Sequence, residues 1–189
     1  MIRIALVGDI GSGKSHIAKL FNYSVFNADL EVAKIYKTDK NFFRNLKKKL
    51  PRYFISWPIR KEDIIKAIID RKTNLKKITN IIHPLIRKKI NIFLKKNRKE
   101  RVVILDIPLF LENKLNKNKD IIIFIKSKRS EIIKRLKKRS NFNLDLLNRF
   151  KEIQLPLSYK KKKSHYTIIN NYTNKSVKID IRKIIKKIL

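Results

Sequence analysis

Residues 8–15 read Gly8-Asp9-Ile10-Gly11-Ser12-Gly13-Lys14-Ser15, which matches G-x-x-x-x-G-K-S in full. All three glycines of this 189-residue chain lie in that one stretch. Glycine admits positive φ, so such a loop can turn several backbone N–H groups inward around a phosphate chain. A helix opening at Lys14 would aim its positive dipole end at the same anion. Lys14 supplies a mobile charge for the terminal phosphate, and Ser15 a hydroxyl for Mg²⁺. The pattern therefore predicts a nucleoside triphosphate site, lined by Gly8, Asp9, Ile10, Gly11, Ser12, Gly13, Lys14 and Ser15. The chemistry it suits is transfer of the terminal phosphoryl group.

Phosphoryl transfer to a hydroxyl needs a group to orient or deprotonate the acceptor, and a carboxylate is the usual one. The chain has only 15 acidic residues, so candidates are few. Asp29 follows a short strand pattern and Asp106 ends a long apolar one. Ligands of open α/β sheets gather at that carboxyl edge. A GTPase reading fails, because Asp106-Ile107-Pro108-Leu109 lacks the glycine of D-x-x-G. Asn116-Lys117-Asn118-Lys119-Asp120 has the wrong spacing for N-K-x-D. His83 precedes Pro84 within a helical pattern, which suits a structural histidine at a helix bend or start. Trp57 reads as a packing residue, and the runs 47–49 and 160–163 as solvated lysine faces.

The elements that must position these groups alternate. Strand patterns fall at 2–7, 24–27, 102–107, 121–125 and 166–169. Helical patterns fall at 14–22, 30–37, 131–139, 143–154 and 177–189. That order predicts an α/β fold of the P-loop NTPase type, a parallel five-stranded sheet flanked by helices. Residues 41–99 are almost continuously helical in pattern, with stripes such as Ile64, Ile65, Ile68 and Ile69. They predict a helical insertion. The expected division is a core of 1–40, 100–140 and 164–189, a helical acceptor subdomain at 41–99 and a lid at 141–163.

The net charge of +34 leaves two readings open. Lys far outnumbers Arg, and the chain is rich in Ile and Asn and poor in Gly, a pattern that a codon bias toward A and T produces without any partner. A polyanion partner is the other reading, and it predicts retention on nucleic acid that falls steeply with salt. The working expectation is no specific nucleic acid. No run approaches the length of a membrane span, and the C-terminal helix is read as a docking helix rather than a membrane-surface one. With no cysteine there is no disulfide or thiolate site. The opening residues form a strand pattern rather than a leader, and a cytoplasmic monomer or weak homo-oligomer is expected.

Several of these pieces together resemble the dephospho-CoA kinase family. Residues 8–15 are similar to its loop G-G-I-G-S-G-K-S. Phe26-Asn27-Ala28-Asp29 resembles I-D-A-D, and Ile82-His83-Pro84 resembles I-x-H-P. Leu105 to Glu112 is similar to D-x-P-L-L-F-E, and 135–139 to R-L-x-x-R. Gln154 resembles a lid glutamine and Ile169-Asn170-Asn171 the closing I-x-N. The order is kept from end to end. The resemblance implies ATP as co-substrate with Mg²⁺, dephospho-CoA as acceptor, and phosphorylation of its ribose 3′-hydroxyl to give coenzyme A. It implies Asp29 as base, with Lys14 and Arg139 also catalytic. It implies Ser15 and Asp106 at the metal, and Arg135, Arg139 and Asn170 at ATP. It implies Asp29, Lys61, His83, Asp106 and Pro108 at the acceptor. The alternatives are another small-molecule or nucleotide kinase of this fold, or a non-catalytic basic nucleotide- or nucleic-acid-binding module.

Five positions depart from the family pattern. Asp9 replaces a loop glycine and Asn27 the first Asp of D-A-D. Lys61 stands where Arg is usual, beside Arg60. Phe150 stands where a lid Arg is usual, beside Arg149, and His165 stands for an Asp.

Overall fold

The computed structural model describes residues 1–138 and 142–189. In chain order it contains β1 (Ile2–Gly8), α1 (Lys14–Leu20), β2 (Ser24–Asn27), α2 (Ala28–Thr38) and α3 (Lys40–Lys49). There follow α4 (Lys61–Asp70), α5 (Lys72–Lys96), β3 (Val102–Asp106), β4 (Ile121–Lys126) and α6 (Arg129–Lys137). The chain closes with α7 (Leu144–Glu152), α8 (Leu157–Lys162), β5 (Tyr166–Ile169) and α9 (Asn174–Ile188).

The five strands form one sheet in the order β2-β3-β1-β4-β5, and every pairing is parallel. A strand buried on both faces must be apolar throughout. β1 and β3 are apolar through their middles, with Ile4, Leu6, Val102 and Ile104 fully buried, and Arg3 and Asp106 stand near their ends. α1 packs onto β1 and β3 through Ile17 and Ala18, and α9 packs onto β5 and α1 through Val177, Ile181 and Ile184. α9 is thus a docking helix, and its lysines take the outward face. The sequence-predicted α/β parallel sheet is the observed one.

The chain divides into two compact units, one of residues 1–27, 97–142 and 154–189 and one of residues 28–96 and 143–153. The first holds the whole sheet. The second is helical, with α3 and α5 and also α4 and α7 packed on each other. α3 opens on Asp39, whose carboxylate accepts the Phe42 N–H at 2.8 Å, an N-cap that satisfies an orphan donor. The predicted helix at 30–37 in fact begins at Ala28, directly after β2. α5 runs unbroken from Lys72 to Lys96 with Pro84 inside it, so Pro84 marks no helix start. The helix carries the cost of one missing N–H there. Residues 50–60 are non-helical and include a cis Trp57–Pro58 bond. Among the described residues no helix is long and apolar enough to cross a membrane.

Candidate active site

β1 delivers the chain to the carboxyl edge of the sheet at Gly8, in register with Ile125 of β4. Gly8 has φ +149°, and a Cβ there would fall 2.6 Å from the Ile125 carbonyl oxygen. Gly13 has φ +90° and caps α1; a Cβ on it would lie 2.4 Å from Asn170 Nδ2. Only glycine fits either place. Ser12 is fully buried, and its carbonyl accepts from Ser127 Oγ at 2.9 Å and Asn170 Nδ2 at 2.8 Å. Its own Oγ is buried without a hydrogen-bond partner. Lys14 Nζ donates to the Asp9 carbonyl at 2.7 Å and the Gly8 carbonyl at 3.3 Å. A glycine-shaped loop with an orphaned hydroxyl and an ammonium on neutral carbonyls fits a phosphate chain. The departure at Asp9 acquires a local account. Its carboxylate accepts the Ile10 N–H at 2.7 Å, so it is turned onto the loop backbone.

Asp106 ends β3, next to β1, and is almost fully buried. Its register partner on β2 is Asn27, whose Nδ2 donates to Asp106 Oδ2 at 2.6 Å. Burial raises the Asp106 carboxyl above the usual carboxylate range, while hydrogen bonds from Ser15 and Asn27 and the charge of Lys14 pull it down. The structure therefore joins Ser15, Lys14 and Asp106 in one cluster. A hydroxyl and a carboxylate oxygen are the donors that Mg²⁺ takes, since it binds few protein ligands and fills its remaining positions with phosphate and water. Ser15 and Asp106 fit that ion. Pro108 follows in the exposed turn after β3, before Leu109 at φ +57°.

Arg135 of α6 lies with its guanidinium 3.7 Å from the Tyr172 ring centroid. Tyr172 has φ +64°, and its N–H donates to Asn170 Oδ1 at 2.9 Å. Tyr172 thus touches both Arg135 and Asn170, and Asn170 in turn reaches the Ser12 carbonyl of the loop; sequence reasoning did not single out Tyr172. Arg139 lies outside the described residues.

The remaining predicted residues belong to the helical unit. Asp29 sits in the first turn of α2, two residues past the end of β2. It is inside the helix and not its N-cap. Burial raises the Tyr36 hydroxyl above its ordinary value, and the Asp29 carboxylate adds to that. Lys61 is the first residue of α4, and Arg60 beside it is committed to Asp63 through two N–H groups at 3.1 and 3.0 Å. His83 is half-buried on α5, and burial, with the charge of Arg87, lowers its pKa. Arg149, the neighbour of Phe150, donates to the Ile69 carbonyl at 3.3 Å and thereby ties α7 to the end of α4. Trp57 packs edge-on against Phe43 at 5.8 Å, which bears out the packing role.

Two more residues read differently once folded. Lys160 was expected on a solvated face. It is buried, and its Nζ meets Glu112 Oε1 at 2.7 Å. Lys161, Lys162 and Lys163 are exposed as expected. Every side chain in that run looks alike in sequence; only its partner, 48 positions back, sets Lys160 apart. His165 accepts the Ile122 N–H on Nδ1 at 3.0 Å. An Asp carboxylate, usual there, would offer the same acceptor. The Asn116–Asp120 run is a turn, in which Asp120 accepts the Lys117 N–H at 2.8 Å and pairs with Arg3 at 3.0 Å.

A model of the dephospho-CoA kinase family matches residues 2–176. A dephospho-CoA kinase from Wolbachia sp. subsp. Brugia malayi is 31% identical over 187 residues, spanning 96% of this chain and 95% of that protein. Among solved structures, a Thermus thermophilus protein superposes with a TM-score of 0.77 at 20% identity, covering 100% of this chain and 98% of its own. The dephospho-CoA kinase from Campylobacter jejuni does so at 0.60 and 22%, covering 98% and 96%. At these identities the superpositions speak to the fold. With the phosphate loop, the Asp106 cluster and a family match that runs through both, the chain belongs to the dephospho-CoA kinase family.

Proposed function

We propose that this chain transfers the γ-phosphoryl group of ATP to the ribose 3′-hydroxyl of dephospho-CoA, giving coenzyme A and ADP. The observation that carries the reading is the cluster at the end of β3, where buried Asp106 is bonded to Asn27 and to Ser15 of the phosphate loop. The loop N–H groups and the α1 N-terminus hold the phosphates. Lys14 leaves its two carbonyls and follows the transferred group. Asp29 takes the proton of the acceptor hydroxyl as its oxygen bonds to phosphorus and the bond to the ADP oxygen breaks. Arg135 and Arg139 face the charge that develops on the phosphates. Bound to Ser15 and Asp106, Mg²⁺ would neutralise charge on the phosphate oxygens.

The helical segment 41–99 holds the pantetheine arm, with Lys61 and His83 in contact with the acceptor and Pro108 shaping the turn after Asp106. His83, neutral at neutral pH by its lowered value, offers a hydrogen bond and not a charge there. Of the expected lid 141–163, the part that closes is 143–153, since 155–160 is held on Glu112. The protein works in the cytoplasm as a monomer or weak homo-oligomer, without a dedicated nucleic-acid or membrane partner.

The test is ADP release with ATP, Mg²⁺ and dephospho-CoA, beside AMP, dTMP, shikimate and no acceptor. Release that depends on dephospho-CoA and yields coenzyme A is expected. Release with a different acceptor overturns the substrate, and ATP binding without release overturns the enzyme.

A further inference from the structure

The Gly8 carbonyl, at the entry to the phosphate loop, accepts from two side chains. Lys14 Nζ donates at 3.3 Å and Gln154 Nε2 at 3.2 Å. Lys14 must leave for its charge to reach a phosphate. Gln154 is then the side chain that still fixes this carbonyl, and with it the direction in which the loop sets out from β1.

The segment that follows Gln154 is itself held. The next residue, Leu155, donates its backbone N–H to Glu112 Oε1 at 3.0 Å. Lys160 Nζ meets that same oxygen at 2.7 Å. The Lys160 and Glu112 side chains are only 3% and 9% exposed. Between the two donors Pro156 opens α8, and the Lys160 N–H returns to the Pro156 carbonyl at 3.1 Å. The segment 155–160 is thus closed on itself, pinned to one carboxylate oxygen, and packed against β1 through α8.

A buried ion pair gains little stability over an apolar pair of the same volume, because both charges lose their water. What it does supply is direction. We propose that the Glu112–Lys160 pair is a positioning device for the phosphate loop: it sets Gln154 on the Gly8 carbonyl, so that the loop keeps its shape when Lys14 departs. Glu112, Lys160 and Gln154 are positioning residues and do not touch the reacting atoms. The proposal rests on residues 8–15 being the ATP site.

The test uses calorimetric ATP binding on the full chain, followed by kinetics. Gln154→Leu removes one hydrogen bond that matters most with ATP bound, and about tenfold weaker ATP binding is expected. Lys160→Met should weaken ATP binding by a similar factor and leave the acceptor KM unchanged. Adding Gln154→Leu to Lys160→Met should bring no further loss, because both act through one contact. If Lys160→Met fails to fold, the apolar pair Glu112→Leu with Lys160→Met replaces it, with the same loss of ATP affinity expected. Full ATP affinity in either folded variant overturns the proposal, as do losses that multiply on combination. Failure of the unmodified chain to bind ATP at all overturns the phosphate-site reading and this inference with it. ATP binding that is intact in every variant overturns the inference alone.

Discussion

Asp29 and Asp106 have distinct environments, and each makes a prediction. Asp29 lies in the first turn of α2. If Asp29 is the proposed base, Asp29→Asn keeps the shape and should cut transfer by at least about a hundredfold. ATP affinity should stay near its original value in the same protein. Retained turnover would take the base role from Asp29. Asp106 has its carboxyl raised by burial. The fold therefore favours its protonated form. Its contribution to stability is full below the ordinary carboxylate value and is lost as pH rises through the raised folded value. Asn27 donates to it at 2.6 Å and draws it back down. In the metal-free protein, Asn27→Leu should move the Asp106 carboxyl titration, followed by carbon-13 NMR, further up. A downward move would show that Asn27 is not a donor to the ionised form.

At the scale of elements, α5 carries a proline in its interior at Pro84. The Asn80 carbonyl one turn earlier loses its helical partner there, and the ring crowds the preceding turn. Pro84→Ala restores the donor and should stabilise the protein by up to about 3 kcal/mol in urea unfolding. If His83 reaches the acceptor because the proline shapes that turn, the acceptor KM should rise in the same variant while the ATP KM stays put. α8 is an element that the sequence conceals. Six residues with three consecutive lysines make a poor helix signal, and the helix forms because Lys160 turns inward to Glu112. Lys160→Met leaves a carboxylate buried and unpaired, which is expected to cost about 3–5 kcal/mol. Equilibrium unfolding measures that cost directly, and a change under about 1 kcal/mol would mean water reaches the pair.

Over the whole molecule, a net charge of +34 on 189 residues sets the folded state against its own repulsion. Its 15 acidic residues can neutralise only a minority of its 49 Lys and Arg. Raising ionic strength from low to physiological values should therefore raise the thermal midpoint, because screening acts over about 8–10 Å. ATP and other polyphosphates should raise it further than chloride at equal ionic strength. A midpoint that falls with added salt would mean that favourable ion pairs outweigh the repulsion.

The sequence by itself determined the sheet and the phosphate loop. The apolar runs of β1, β3 and β4 can only be strands buried on both faces. Gly8, Gly11 and Gly13 can only mark a loop that needs positive φ. These signals are local, written in consecutive residues. The start of α2 at Ala28 was missed because nothing in Asn27-Ala28 separates a strand end from a helix start, and the packing of Ala28 decides it. Tertiary structure alone decided which of the many lysines is buried, that Asn27 faces Asp106, that Asp9 turns onto its own backbone and that His165 serves as an acceptor. Each depends on a partner outside the local pattern or on which way a side chain turns. A side chain in a run such as 160–163 acquires its meaning only when the chain closes and one of the four loses its water.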